Sequence, residues 1–109
     1  MCYLTLLIGS GAKYFVFTTK HHDGFANWPS SRNFGWNSHD IGPKRDIVGE
    51  LEKSFKSDGR VKFGLYYSLF EWFNPMYNQD EANNFTTDDY VTTKMQAELH
   101  EIINEYKVR

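Results

Sequence analysis

The chain has 109 residues, the size of one domain, with 40% hydrophobic residues, 24% charged residues and a net charge of −2. This balance argues against a disordered tail, and the absence of a basic excess argues against a nucleic-acid partner held by phosphate contacts. With a single cysteine and no run of about 18 apolar residues, the sequence predicts neither a disulfide framework nor a membrane-spanning segment.

Residues 1–10 form a short apolar run that lacks the positively charged start of a signal peptide, so no convincing signal peptide is predicted. Three origins stay open for this run: a clipped signal peptide, a buried segment, and unrelated sequence joined to a domain. We therefore divide the chain into an atypical N-terminal segment, 1–10, and a domain segment, 11–109.

The first predicted strand, Tyr14–Thr19, is a β-branched and aromatic run that stops at a polar cluster. His21, His22 and Asp23 follow it directly, before a long aromatic-rich loop that ends near Gly42. In parallel α/β folds, ligands bind where strands end in this way. The high aromatic content, 17%, is typical of aromatic cores and also of sites that stack on sugars.

The remaining elements alternate in type along the chain. A helix is predicted over 46–57, a second strand over Val61–Tyr67, a second long loop over 68–85, and a helix from Thr86 to the end of the chain. Asp46 suits the N-cap of the first of these helices, and Gly59 suits its left-handed stop. Thr86 with Asp89 three residues later is close to a capping box, so these two residues are predicted to cap the last helix. The last helix is predicted to bury one apolar stripe, formed by Val91, Met95, Leu99, Ile102 and Tyr106.

This order predicts an α/β fold with a parallel sheet, because each strand is followed by a helix. Two βα units cannot close a barrel, and a complete (β/α)8 TIM barrel takes about 250 residues. We therefore expect about two βα units of a partial barrel. Without neighbouring strands, the outer faces of Phe15, Phe17, Phe63 and Leu65 are expected to lack partners.

His21 and His22 are candidates for hydrogen bonding to sugar hydroxyls, since a neutral imidazole offers one donor and one acceptor. Adjacent histidines point to opposite sides of an extended chain and do not easily chelate one ion, so no metal site is predicted. Histidines that only satisfy backbone groups of the turn remain the alternative.

Tyr66 is the candidate pocket tyrosine, because it shares its strand face with the small residues Gly64 and Ser68. A phenol in the core remains the alternative. Trp28 and Trp72 are candidates for stacking on a sugar, with pinning of the long loops as the simpler role. The same two possibilities hold for Trp36.

The carboxylates near the strand ends, Asp23 and Glu71, are expected to be solvated loop charges and receive no catalytic role. The charges of the last helix, among them Glu98 and Glu101, are expected to lie on a solvated face. The sequence Asn84-Phe85-Thr86 is an N-glycosylation sequon, which is informative only in a secreted chain.

Several long motifs resemble one family closely. They are TTKHHDGF at 18–25, NWPS at 27–30, WNSHDIGPKRDIVGEL at 36–51 and GLYYSLFEW at 64–72. They are similar to the catalytic domain of the α-L-fucosidases of glycoside hydrolase family 29, of the animal lysosomal type. The resemblance covers residues 11–107, whereas residues 1–10 do not resemble the family's sequence.

The resemblance implies a (β/α)8 barrel that removes terminal α-L-fucose from fucosylated glycans with retention and without a cofactor. It matches His21 and His22 to the family's fucose-binding histidine pair and Tyr66 to its pocket tyrosine. The nucleophile and the acid/base are expected beyond Arg109, so this chain is expected to be a catalytically incomplete fragment. A lysosomal or secreted location and a homo-oligomeric parent enzyme are also implied. The alternative is a non-catalytic carbohydrate-binding or partner-binding module derived from the barrel.

Overall fold

The computed structural model describes residues 2–106. In chain order its elements are α1 (Cys2–Gly9), β1 (Tyr14–Lys20), α2 (Ile47–Asp58), β2 (Lys62–Tyr67), α3 (Pro75–Ala82), a π-helical segment (Val91–Met95) and α4 (Gln96–Tyr106). The predicted continuation of the last helix over 107–109 lies outside the described residues. Within 2–106, no helix has the length and apolar character needed to cross a membrane.

The two strands pair in parallel, which confirms the predicted α/β arrangement of βα units. Val16 pairs with Gly64 and Thr18 pairs with Tyr66, and the register shifts between Thr18 and Lys20. The carboxyl ends of both strands therefore lie at the same edge of the sheet. This edge carries the predicted site residues.

Helix α2 forms as its sequence predicts. The Asp46 side chain accepts a hydrogen bond from the backbone N–H of Gly49 and so caps the N-terminus. Gly59 adopts a left-handed φ of 78°, and its N–H donates to Phe55 O at 2.8 Å. A residue with a side chain is strained at such a φ, so glycine suits this end of the helix.

The prediction of an irregular loop over 68–85 is wrong, because α3 forms within it. Pro75 stands at the first turn of this helix, and the Asn74 side chain caps it by accepting from the N–H groups of Met76 and Tyr77. An Asn-Pro pair is a helix start signal, since proline has no N–H to lose at that position.

The predicted capping of the last helix by Thr86 and Asp89 is also wrong. The carboxylate of Asp80, at the end of α3, accepts from the Thr87 hydroxyl at 2.6 Å and from the backbone N–H of Tyr90 at 2.9 Å. Asp80 is 2% exposed. A carboxylate of the preceding helix therefore caps this helix, and the capping also ties it to α3.

The final helical region buries a different stripe from the predicted one. Its buried residues are Tyr90, Lys94, Glu98, Ile102 and Tyr106, four residues apart in each case. Ile102 and Tyr106 belong to the predicted apolar stripe and are buried. The other three members of that stripe, Val91, Met95 and Leu99, are only half-buried. The prediction assumed that the most apolar face is the buried one, whereas here two charged residues lie inside.

The side of the sheet that packs on the helices is built from alternate strand residues. Phe15 and Phe63 pack on a cluster of Leu4, Phe55 and Val61. Phe17 and Leu65 pack on a second cluster, formed by Ala26, Trp28, Val48, Ile102 and Tyr106. The expectation that these four strand residues lack partners is therefore wrong. Leu4 of α1 is 9% exposed, so residues 2–9 contribute a side chain to the core.

Candidate functional site

His21, His22 and Tyr66 lie together at the carboxyl ends of β1 and β2. The ring centroids of His21 and His22 are 4.2 Å apart, and those of His21 and Tyr66 are 6.1 Å apart. The backbone turns immediately after them, where the N–H of Gly24 donates to His21 O at 3.1 Å and Gly24 has a φ of 79°. Two strand ends thus bring three hydrogen-bonding side chains to one place.

Tyr66 lies on the face of the sheet opposite the two core clusters. Its side chain is 42% exposed, and its neighbours on this face, Tyr14 and Val16, are 68% and 60% exposed. A Cβ atom at Gly64 would lie 3.4 Å from a Val16 methyl group. Because glycine has no side chain, this part of the face beside Tyr66 stays open. The alternative of a phenol buried in the core is excluded for Tyr66 in this structure.

His22 is half-buried and fixed at two points. Its Nδ1 atom is in hydrogen-bond contact with Ser68 Oγ, and its carbonyl oxygen accepts from the backbone N–H of Trp72 at 2.9 Å. The rings of Phe70 and Trp72 lie 5.5 and 5.2 Å from the imidazole. The loop after β2 therefore shapes the surroundings of a histidine that follows β1.

A cluster of buried charges lies just inside these strand ends. The ion cluster consists of Lys20, Glu71, Lys94 and Glu98. Lys20 Nζ and Lys94 Nζ each lie 2.8 Å from the Glu71 carboxylate, and Lys94 Nζ lies 3.9 Å from Glu98. Lys20 and Glu98 are 0% exposed and Glu71 is 3% exposed, so the solvated positions expected for Glu71 and Glu98 are wrong.

The pKa values of the two carboxylates of the ion cluster are shifted in opposite directions. Burial acts to raise the pKa of Glu71, but hydrogen bonds and charges from Lys20 and Lys94 outweigh burial and hold it below the ordinary value. Burial raises the pKa of Glu98 above its ordinary value, in spite of the hydrogen bond that the Tyr67 hydroxyl donates at 2.7 Å. Glu71 is therefore an ionised structural group, held by two cations, rather than an exchanger of protons.

The candidate stacking residues occupy different environments. Trp28 is 2% exposed in the second core cluster, and its Nε1–H donates to Glu101 at 3.0 Å. Its ring offers no free face, so sugar stacking is wrong for Trp28 and pinning of the loop describes it. Glu101 is half-buried by the same contact. Trp72 is 59% exposed beside His22, so it retains a face for a ligand.

Asp23 and Trp36 belong to the loop that follows β1. Asp23 is exposed, and the Nε1–H of Trp36 donates to its backbone oxygen at 3.1 Å. The Phe25 and Trp36 rings are in edge contact at 5.2 Å. Among residues 2–106, no three His, Cys, Asp or Glu side chains come together in a group that suits a metal ion.

The structure adds Ser68, Lys20 and Glu71 to the residues that shape the site. The sequence indicates Ser68 only as a small residue on the strand face of Tyr66. A lysine at the end of a buried strand, immediately before two histidines, is the one sequence signal that could have indicated a buried partner carboxylate. Nothing in the local sequence indicates that Glu71 is that partner, because the two residues are far apart in the chain.

Comparison with known sequences identifies the group to which this chain is related. The sequence model of the family described as Alpha-L-fucosidase matches residues 2–109, including the α1 segment. The chain belongs to the α-L-fucosidase family. The agreement confirms the resemblance found from the double-histidine motif and the motifs that follow it.

Individual relatives agree with the family match. The chain is 54% identical to an alpha-L-fucosidase of Branchiostoma floridae over 101 residues, and 49% identical to the human tissue alpha-L-fucosidase over 102 residues. These alignments cover 93% and 94% of the chain but only 22% of each relative. The chain therefore spans about a fifth of the length of these enzymes.

A solved relative has the same local fold. The Thermotoga maritima alpha-fucosidase, whose crystal structure is in complex with fucose, superposes with a TM-score of 0.75 at 35% identity. The superposition covers 95% of this chain and 25% of that enzyme. The paired strands and their helices are thus an arrangement found within a fucosidase.

Proposed function

We propose that this chain is the fucose-binding part of a retaining α-L-fucosidase, an enzyme that removes terminal α-L-fucose from fucosylated glycans. The observation that carries the proposal is the meeting of His21, His22 and Tyr66 at two adjacent strand ends, in a chain of this family. These groups can donate to and accept from sugar hydroxyls. Trp72 would stack on an apolar face of the ring.

Hydrolysis with retention needs two carboxyl groups, a nucleophile and an acid/base, and uses no cofactor. Glu71 is held between two lysines and buried, and Asp23 is exposed in a loop. Neither has the environment of a nucleophile. In this proposal, both catalytic carboxylates come from the part of the enzyme that these 109 residues do not include.

The proposal extends to the setting of the complete enzyme. A (β/α)8 TIM barrel would enclose the open face of the sheet, where Tyr14, Val16 and Tyr66 are exposed. Its family suggests a lysosomal or secreted homo-oligomer. Asn84 is exposed and its sequon is intact, so it is a proposed N-glycosylation site of a secreted glycoprotein.

The test measures L-fucose binding to the complete natural gene product by calorimetry, with D-fucose as the mirror-image control. His22→Ala and Tyr66→Phe should each weaken binding, and lower kcat/KM for an aryl α-L-fucoside, by about tenfold, since each removes one or more hydrogen bonds. Tyr14→Phe is the matched control, because Tyr14 is an exposed tyrosine at the other end of the same face.

Equal binding of the two enantiomers, or unchanged binding in both His22→Ala and Tyr66→Phe, would contradict the assignment. The 109-residue polypeptide on its own is expected to show no measurable turnover, because the covalent route needs the nucleophile. Turnover that is lost in Glu71→Gln would show that Glu71 has a catalytic role after all.

A further inference from the structure

Ser68 is a buried hydroxyl that the proposed function does not use. It lies immediately after β2 and is 1% exposed. Its backbone N–H donates to Lys20 O at 2.9 Å, so the pairing of the two strands fixes its position. Its Oγ is in contact with Nδ1 of His22. The hydroxyl is therefore held against one nitrogen of a proposed fucose-binding side chain.

The imidazole of His22 has little freedom to turn away from this hydroxyl. Its carbonyl oxygen is bonded to the N–H of Trp72, and the neighbouring Glu71 is anchored by Lys20 and Lys94. Backbone and ring are thus held independently. Nε2 is the ring nitrogen for which residues 2–106 provide no hydrogen-bond partner, and it is the one available to a ligand.

The proton of the neutral imidazole can be on either nitrogen, and the neighbours of Ser68 distinguish the two tautomers. Ser68 Oγ lies 3.4 Å from both the carbonyl oxygen and the N–H nitrogen of Phe70. With the proton on Nδ1, the imidazole donates to Oγ, and the Ser68 hydroxyl is free to donate to Phe70 O. With the proton on Nε2, the hydroxyl must donate to Nδ1, and Phe70 O loses that donor.

Only with the proton on Nδ1 does Phe70 O also receive a hydrogen bond from the Ser68 hydroxyl. Buried polar groups favour the arrangement in which each of them is paired. We propose that Ser68 is a positioning residue that holds His22 in the Nδ1-protonated tautomer, so that Nε2 accepts a hydrogen bond from a hydroxyl of the sugar. The sugar part of this statement rests on the proposed function. The tautomer rests on the contacts within the chain.

The test uses the complete natural gene product, labelled with 15N and kept at a pH at which the imidazole is neutral. Long-range proton–nitrogen spectra distinguish a protonated ring nitrogen from an unprotonated one. We expect a protonated Nδ1 in the natural protein and a shift of His22 toward the Nε2-protonated form in Ser68→Ala. Ser68→Thr, which keeps the hydroxyl, should restore the original tautomer.

The matched control is Ser30→Ala, which removes another buried hydroxyl, one that bonds Glu98 rather than a histidine. It should leave the His22 signals unchanged. A purely structural role for Ser68 would lower the melting temperature without moving the tautomer. Ser68→Ala removes one oxygen and adds no atom, so the variant should remain folded. An Nε2-protonated His22 in the natural protein, or an unchanged tautomer in Ser68→Ala, would overturn the proposal.

Calorimetry with L-fucose separates this inference from the proposed function. Ser68→Ala should weaken L-fucose binding by about threefold to tenfold, the equivalent of one neutral hydrogen bond, with recovery in Ser68→Thr. If the natural protein fails to bind L-fucose while the tautomer still responds to Ser68, the sugar assignment falls and the positioning role stands. If L-fucose binds and the tautomer does not respond, the positioning role falls alone.

Discussion

Lys20 and His21 are neighbours in the chain and lie in opposite environments. Lys20 is 0% exposed within the ion cluster, whereas His21 is exposed at the strand end. Lys20 is the last residue of β1, and the chain leaves the sheet at His21, so one residue is enclosed by the ion cluster and the next is open to solvent. The ion cluster is therefore expected to stabilise the strand ends, whereas the exposed side chains are the ones proposed to bind fucose.

The strongest test of this division is Glu71→Ala. The substitution leaves Lys20 and Lys94 as buried cations without their shared carboxylate, and breaking a buried pair in this way costs about 3–5 kcal/mol. The free energy of unfolding, measured by urea titration, should fall by that amount. Glu50→Ala is the control, because its pair with Arg45 is exposed and should contribute less than about 1 kcal/mol. Similar losses for both variants would show that the ion cluster has no special role.

Two tryptophans extend the comparison to uncharged side chains. Trp28→Ala should destabilise the fold by about 3–5 kcal/mol, because it opens a cavity in the core and leaves Glu101 without its indole donor. Trp72→Ala should change the stability by less than about 1 kcal/mol, since 59% of its side chain is exposed, but it should weaken L-fucose binding. Thermal melting and calorimetry on both variants check this. A large loss of stability in Trp72→Ala would mean that Trp72 serves packing.

The elements that the sequence predicts well are those specified by their own residues. β1, α2 and β2 form close to their predicted limits, because alternating apolar residues and the local caps Asp46 and Gly59 determine them. The strand-face argument for Tyr66 depends on the same local alternation. Local pattern is therefore sufficient for three of the seven elements described and for the strand face of Tyr66.

The features that the sequence does not predict depend on partners in other elements of the chain. Asp80 caps a helix that begins after an intervening loop, and Glu71 bonds a lysine that is 51 positions away. Glu98 lies on a helix face that periodicity assigns to solvent, yet it is buried where the hydroxyls of Tyr67 and Ser30, 31 and 68 positions away, donate to it. A pattern within one segment carries no record of such partners.

The two carboxylates of the ion cluster should change the free energy of unfolding with pH in opposite directions. The pKa of Glu71 is lowered in the folded state, so its contribution is present above the ordinary value of 4.5 and is lost as the pH falls through the folded pKa. The pKa of Glu98 is raised, so its contribution is complete below 4.5 and is lost as the pH rises through the folded pKa.

Urea titrations over a range of pH distinguish the contributions of the two carboxylates to the free energy of unfolding. Glu71→Gln should flatten the loss of stability on the acid side, and Glu98→Gln should flatten the loss above 4.5. Each variant serves as the control for the other, since both replace a buried carboxylate of the same cluster with an amide. If either variant flattened the opposite side of the profile, the direction of that carboxylate's pKa would be wrong.

The smallest effect is expected at Lys53, on the exposed face of α2. Lys53→Ala removes a charge from a solvated helix surface and replaces it with the residue of highest helix propensity, so the free energy of unfolding should change by less than about 0.5 kcal/mol. Binding of L-fucose should not change, because α2 packs on the covered side of the sheet whereas Tyr66 lies on its other face. Urea titration and calorimetry on one sample measure both quantities. If Lys53→Ala weakened L-fucose binding, that assay would be reporting the general integrity of the fold, and the losses in His22→Ala and Tyr66→Phe would no longer be evidence for direct contact with the sugar.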